Sequence, residues 1–151
     1  MKDIIIKGLA TVGLIVVGKK ALEAMKSPMQ GSMQIMACPL PTQDDKLNDK
    51  NRQNAKDNFM YGPLNENPVS FWNKLAKKVN LPVHIAKTRR CGNCTAFDIS
   101  PRMKKCMGTT GNEVGYCWMH KFKCSAARSC RTWAPGGSIK QDSVSYSWQN
   151  K

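Results

Sequence analysis

Six of the seven cysteines fall between residues 91 and 130, as Cys91, Cys94, Cys106, Cys117, Cys124 and Cys130. That density of soft ligands exceeds what packing asks of so short a stretch. Sulfur in this number is held by an inorganic centre or by disulfides, and either one replaces interior that a small domain lacks. With 151 residues and 41% hydrophobic content, the chain can bury one core and has residues left over for an arm. Trp118, Trp133 and Trp148 lie in the cysteine-bearing half, whereas the most aliphatic stretch occupies the first twenty-five residues.

Charge is the second constraint. Lys and Arg number 24 against 10 Asp and Glu, a net +14, and residues 81–151 hold twelve of the basic residues against three acidic ones. The cysteine region is therefore the basic region. Its field favours phosphate, anionic lipid or acidic protein surfaces, with steep salt dependence if the partner is DNA.

The pattern divides the chain into four parts: an apolar helix over 1–26, an extended polar arm over 27–66, a helix plus cysteine-rich metal-binding module over 67–140, and a polar tail over 141–151. Asp3 suits the positive end of the first helix, Lys19, Lys20 and Lys26 suit its last turns, and Ser27-Pro28 stops it. Its uninterrupted apolar run, Gly8 to Gly18, is eleven residues, short of the roughly 18 to 20 that span a bilayer. The preferred reading buries this helix against other proteins of an assembly. Membrane association through residues 4–18 is the second reading and a cleaved signal peptide the third, weakened by Asp3 and by the lack of a small-x-small site.

Within the arm, Cys38-Pro39-Leu40-Pro41 reads as an extended turn, because each proline pushes its predecessor out of helical space. Cys38 reads as a free thiol in a loop. Asn67-Pro68 opens a helix that carries Phe71, Trp72, Leu75 and Val79 at spacings of three and four and ends at Asn80-Leu81-Pro82. That stripe is expected to pack into the module's core.

Cys91-Gly92-Asn93-Cys94 brings two sulfurs to one metal face, with intervening backbone donors aimed at them. Cys106 and Cys117 complete the expected set. The favoured cofactor is a [4Fe-4S] cluster on Cys91, Cys94, Cys106 and Cys117, walled by Phe97, Tyr116, Trp118, Phe122 and Trp133. Zinc is the rival, on Cys91, Cys94 and two of Cys106, Cys117, His120 and Cys124. His120, Cys124 and Cys130 are substitute ligands, and Cys124 and Cys130 alternatively form a local disulfide or stay as core thiols. Disulfides alone are the remaining option.

Two resemblances extend this reading. Cys91, Asn93, Cys94, Phe97, Cys106, Gly115, Tyr116 and Cys117 resemble the cluster-binding segment of high-potential iron-sulfur proteins, over about thirty residues. That family uses a Cys-x-Asn-Cys turn, a following aromatic, a third cysteine and a Gly-aromatic-Cys fourth ligand, which implies an electron-carrying cluster. The present chain departs from it in the gaps around Cys106 and in the extra Cys124 and Cys130. A broader resemblance spans residues 38–137. The segments Cys38-Pro39-Leu40-Pro41-Thr42-Gln43-Asp44, Tyr61-Gly62-Pro63-Leu64-Asn65, Phe97-Asp98-Ile99-Ser100-Pro101-Arg102-Met103, Gly115-Tyr116-Cys117-Trp118-Met119-His120, Phe122-Lys123-Cys124 and Ala127-Arg128-Ser129-Cys130-Arg131-Thr132-Trp133-Ala134 are similar to a family of small cysteine-rich proteins of tailed bacteriophages. That resemblance implies a viral context and a reducing cytoplasm during folding, which disfavours disulfides.

Catalysis finds no footing. His84 and His120 are the only histidines, Asp98 and Glu113 are the module's carboxylates, and no nucleophile-base-orienter set is visible. The chain is thus expected to be a non-enzymatic minor structural protein of a bacteriophage virion, in the tail, baseplate or neck rather than the capsid shell. It would contact other virion proteins through residues 1–66, with DNA or an anionic surface as a further partner of the basic module. A membrane-tethered iron-sulfur electron carrier and a zinc-stabilised nucleic-acid-binding module are the alternatives. The expected fold is a small irregular metal-stapled module with little regular secondary structure, short helices and strands, preceded by an N-terminal helix and an extended arm.

Overall fold

The computed structural model describes residues 37–151, and its compact unit begins at Cys38. The apolar helix expected over 1–26 and the first part of the arm lie outside the described residues. After a 3-10 turn at Leu40–Thr42 come α1 (Asp45–Phe59), α2 (Val69–Val79), the single turn α3 (Val83–Ala86) and a second 3-10 turn at Cys91–Asn93. Then follow β1 (Phe97–Asp98), α4 (Pro101–Met107), β2 (Val114–Cys117), β3 (Phe122–Ser125) and α5 (Asp142–Gln149). The expectation of short helices and strands holds for this part of the chain.

The arm is not extended throughout. α1 is polar along most of its length, but Asp44 caps it by accepting the Leu47 N–H at 3.0 Å. At its other end the Tyr61 N–H closes onto the Ala55 carbonyl, with Met60 in the left-handed region. The helix docks through side-chain amides rather than a hydrophobic stripe. Buried Asn48 accepts the Lys123 N–H of β3 at 2.7 Å, and Asn51 donates to the Lys121 carbonyl at 2.6 Å. Phe59 accepts the Arg131 N–H at 3.0 Å. The first bond satisfies a backbone group on the outer edge of β3, which an unpaired edge strand leaves open, and the other two tie α1 to the turn before β3 and the loop after it.

α2 forms where its stripe predicts. Trp72 and Leu75 are buried, and Asn80 ends the helix in the left-handed conformation. The cap position is Pro68, with Val69 the first helical residue, one place later than expected. Trp72 donates through Nε1 to the Asn65 carbonyl and lies beneath the Arg90 guanidinium at 4.3 Å.

The sheet is antiparallel in the order β1-β2-β3, with Phe97 opposite Cys117 and Gly115 opposite Cys124. Gly115 is required by a close approach: a Cβ there would come within 2.5 Å of the Phe97 ring. Successive residues of β2 face opposite sides of the sheet. Tyr116 packs with Cys38 and with Met103 and Cys106 of α4, whereas Cys117 packs with Phe97, Phe122, Cys91, Cys94, Cys124 and Cys130. Two hydrophobic clusters therefore divide the sulfurs between them.

The tail is also helical. α5 packs on α4 around buried Arg102, whose main-chain N–H donates to Asp142 at 2.9 Å and whose guanidinium donates to Ser145 at 2.8 Å and to Gln149. The same guanidinium lies 4.1 Å from the Tyr146 ring centroid. Burial of a guanidinium demands such partners.

Candidate metal centre

Cys91 and Cys94 open and close the second 3-10 turn, and the turn is docked on the segment after β3 by backbone bonds. Cys91 N–H donates to the Arg128 carbonyl at 2.7 Å and Gly92 N–H to the Ala126 carbonyl at 2.9 Å. A Cβ on Gly92 would sit 2.9 Å from that of Ala126, so only glycine permits so close a seat. Cys117 ends β2, Cys124 lies within β3, and Cys130 follows in the loop. All five side chains, with Phe97, Met119 and Trp133, line one cavity of about 10 Å³, the space of roughly one water.

Cys106 is not among them. It is joined to Cys38 in a disulfide across 68 residues of sequence, which corrects both its expected place as a ligand and the reading of Cys38 as a free loop thiol. The reason is the alternation along β2: α4 packs on the Tyr116 side, so Cys106 lies with the second cluster and meets the chain's entry at Cys38. His120 is displaced as well. Its Nε2 is 2.6 Å from Thr132 Oγ1 and its ring lies tilted against Phe59 with centroids 4.5 Å apart, in a cleft that also holds Asn51 and Lys121. Of the expected wall, Phe97 and Trp133 line the cavity, Phe122 belongs to the surrounding cluster, and Tyr116 and Trp118 pack with the disulfide. Cys124 and Cys130 form no local disulfide; both are buried thiols.

Hydrogen bonds sort the five sulfurs. Cys94 accepts from the Ala134 and Ala96 N–H groups, Cys117 from those of His120 and Met119, and Cys130 from that of Thr132. Three sulfurs thus each receive the amide two residues ahead, a geometry that favours a charged thiolate. Cys124 shares hydrogen bonds with Cys117 and Cys91 instead, which together with burial hold its thiol well above the ordinary range. The Cys124 bond and the two amides lower Cys117 against the effect of burial. Burial raises Cys94, an effect its two amides oppose, and pushes Cys130 up to about 12.

Among the described residues no group of three or more His, Cys, Asp or Glu side chains is placed to hold a metal ion. No family model, curated protein or solved structure matches this chain. Among the described residues no helix is long and apolar enough to cross a membrane.

Sequence reasoning gave Cys130 only as a substitute ligand, whereas the structure lines the Cys91–Cys94 cavity with it. The available signal was Thr132, two residues on, whose hydroxyl lies 3.2 Å from Cys130 Sγ.

Proposed function

We propose that this chain is a structural component of a tailed-phage particle whose module is stapled by a metal centre on Cys91, Cys94, Cys117 and Cys130. Cys124 is the fifth thiol and donates its proton within the set. The observation that carries the reading is the convergence of five unoxidised sulfurs in the middle of the main hydrophobic cluster, three of them with amides aimed at sulfur. A core that small gains little from buried thiols and much from a metal bound only by the folded state.

The favoured occupant is a [4Fe-4S] cluster, which is larger than the cavity of about 10 Å³ and would need the lining side chains to move apart. Structural zinc sites usually draw ligands from two tight pairs, and this set contains one tight pair and two single cysteines. Amide-to-sulfur bonds and a dry aromatic wall are also the features that tune such clusters. Zinc is the second reading, since a single tetrahedral ion at about 2.3 Å from each sulfur asks less of a cavity of about 10 Å³ than a cluster does. The phage context rests on the sequence resemblance over residues 38–137.

Elemental analysis of anaerobically purified protein tests the centre. Iron and inorganic sulfide in equal amounts support the cluster, zinc alone supports the second reading, and protein free of all three refutes the staple. Recovery of the chain in purified particles tests its place in the virion.

A further inference from the structure

A second concavity lies between α1 and β3, on the far side of Cys124 from the thiol cavity, and it differs in character. The groove measures about 660 Å³, and Arg52, Lys56, Lys123 and Arg128 line it. Arg52 and Lys56 stand four residues apart on α1 and so share a helix face. Between these cations Leu64, Met107 and Val114 also line the groove; Leu64 is 52% and Val114 36% exposed. Apolar side chains left open beside cations form an amphipathic acceptor.

Two of the cations have partners that a ligand can replace. Arg52 meets Asp49 at 3.0 Å and Lys123 meets Asp45 at 3.1 Å, with side-chain exposures of 67% and 90% for the two aspartates. Such exposed pairs contribute little. We propose that this groove docks an acidic, amphipathic segment of a partner protein, carboxylates on Lys56, Lys123 and Arg128 and apolar side chains on Leu64, Met107 and Val114.

Charge and shape select this occupant. The chain's own first 36 residues carry five lysines against Asp3 and Glu23, a net positive charge that does not complement a basic groove. Single-stranded nucleic acid is held by stacking on exposed rings, and the ring that lines the groove, Tyr61, is 7% exposed with Arg128 over its face. The proposal rests on the assembly half of the reading above and is independent of the metal.

Fluorescence anisotropy tests it, with a labelled synthetic peptide alternating leucine and glutamate as the probe. A matched peptide with serine for leucine, and an oligothymidine, serve as comparators. The leucine-glutamate peptide is expected to bind, and Lys56→Glu and Leu64→Ser, both exposed positions, each to weaken it by about tenfold or more at unchanged thermal midpoints. Serine for leucine in the peptide has the same effect. Failure of the peptide to bind, indifference to both substitutions, or tighter binding of oligothymidine at the same residues overturns the proposal. Metal content measured on the same samples separates this outcome from failure of the centre.

Discussion

Asn48→Ala tests whether side-chain amides, rather than hydrophobic burial, hold α1 on the sheet. Asn48 is 2% exposed and accepts the Lys123 N–H at 2.7 Å. Truncation leaves that strand-edge donor without an acceptor, at about 1–3 kcal/mol. Alanine returns about 0.6 kcal/mol of helix propensity, for a net loss of about 0.5–2.5 kcal/mol. For a unit of this size each kcal/mol shifts the midpoint by roughly 4 °C, so thermal unfolding by circular dichroism should fall by about 2–10 °C. Asn54→Ala is the control, since Asn54 meets only Asn58 on the exposed face and should change stability by less than about 0.5 kcal/mol. Equal midpoints for Asn48→Ala and its parent would refute the docking argument.

The cysteines yield the next outcomes. Cys130→Ser should abolish metal retention, while Cys124→Ser and Cys106→Ser should keep it; metal loss in Cys106→Ser with retention in Cys130→Ser would return Cys106 to the ligand set. Under oxidising conditions Cys106→Ser should cost about 4 kcal/mol by the loop-closure relation for the 68-residue separation, and urea titration with and without reductant reads the difference. An equal midpoint in both variant and parent argues against the crosslink. Gly115→Ala drives a methyl into Phe97 and should destabilise by about 1–3 kcal/mol, with partial recovery in the double variant carrying Phe97→Leu; additivity in that cycle contradicts the contact.

The elements visible in the sequence are those that bury apolar side chains at a regular period. Phe71, Trp72, Leu75 and Val79 marked α2 because a hydrophobic stripe is what holds it. α1 carries no such stripe: Asn48 and Asn51 bind β3 and its turn, and Ala55 is its buried apolar residue. A helix anchored by amides reads as a solvated stretch. α5 was obscured likewise, because its anchor is Arg102, some forty residues away. The Cys91–Cys94 turn was legible from its spacing alone. Which further sulfurs joined it was not, because that depends on the face of β2 on which α4 packs, and the Cys38–Cys106 pairing follows from the same choice.

Native mass spectrometry of anaerobically purified chain tests the staple most directly. The account predicts a mass above that of the polypeptide by one inorganic centre, lost together with compact charge states when Cys91→Ser is introduced. A mass equal to the bare chain, with a compact charge distribution unchanged in that variant, would contradict it.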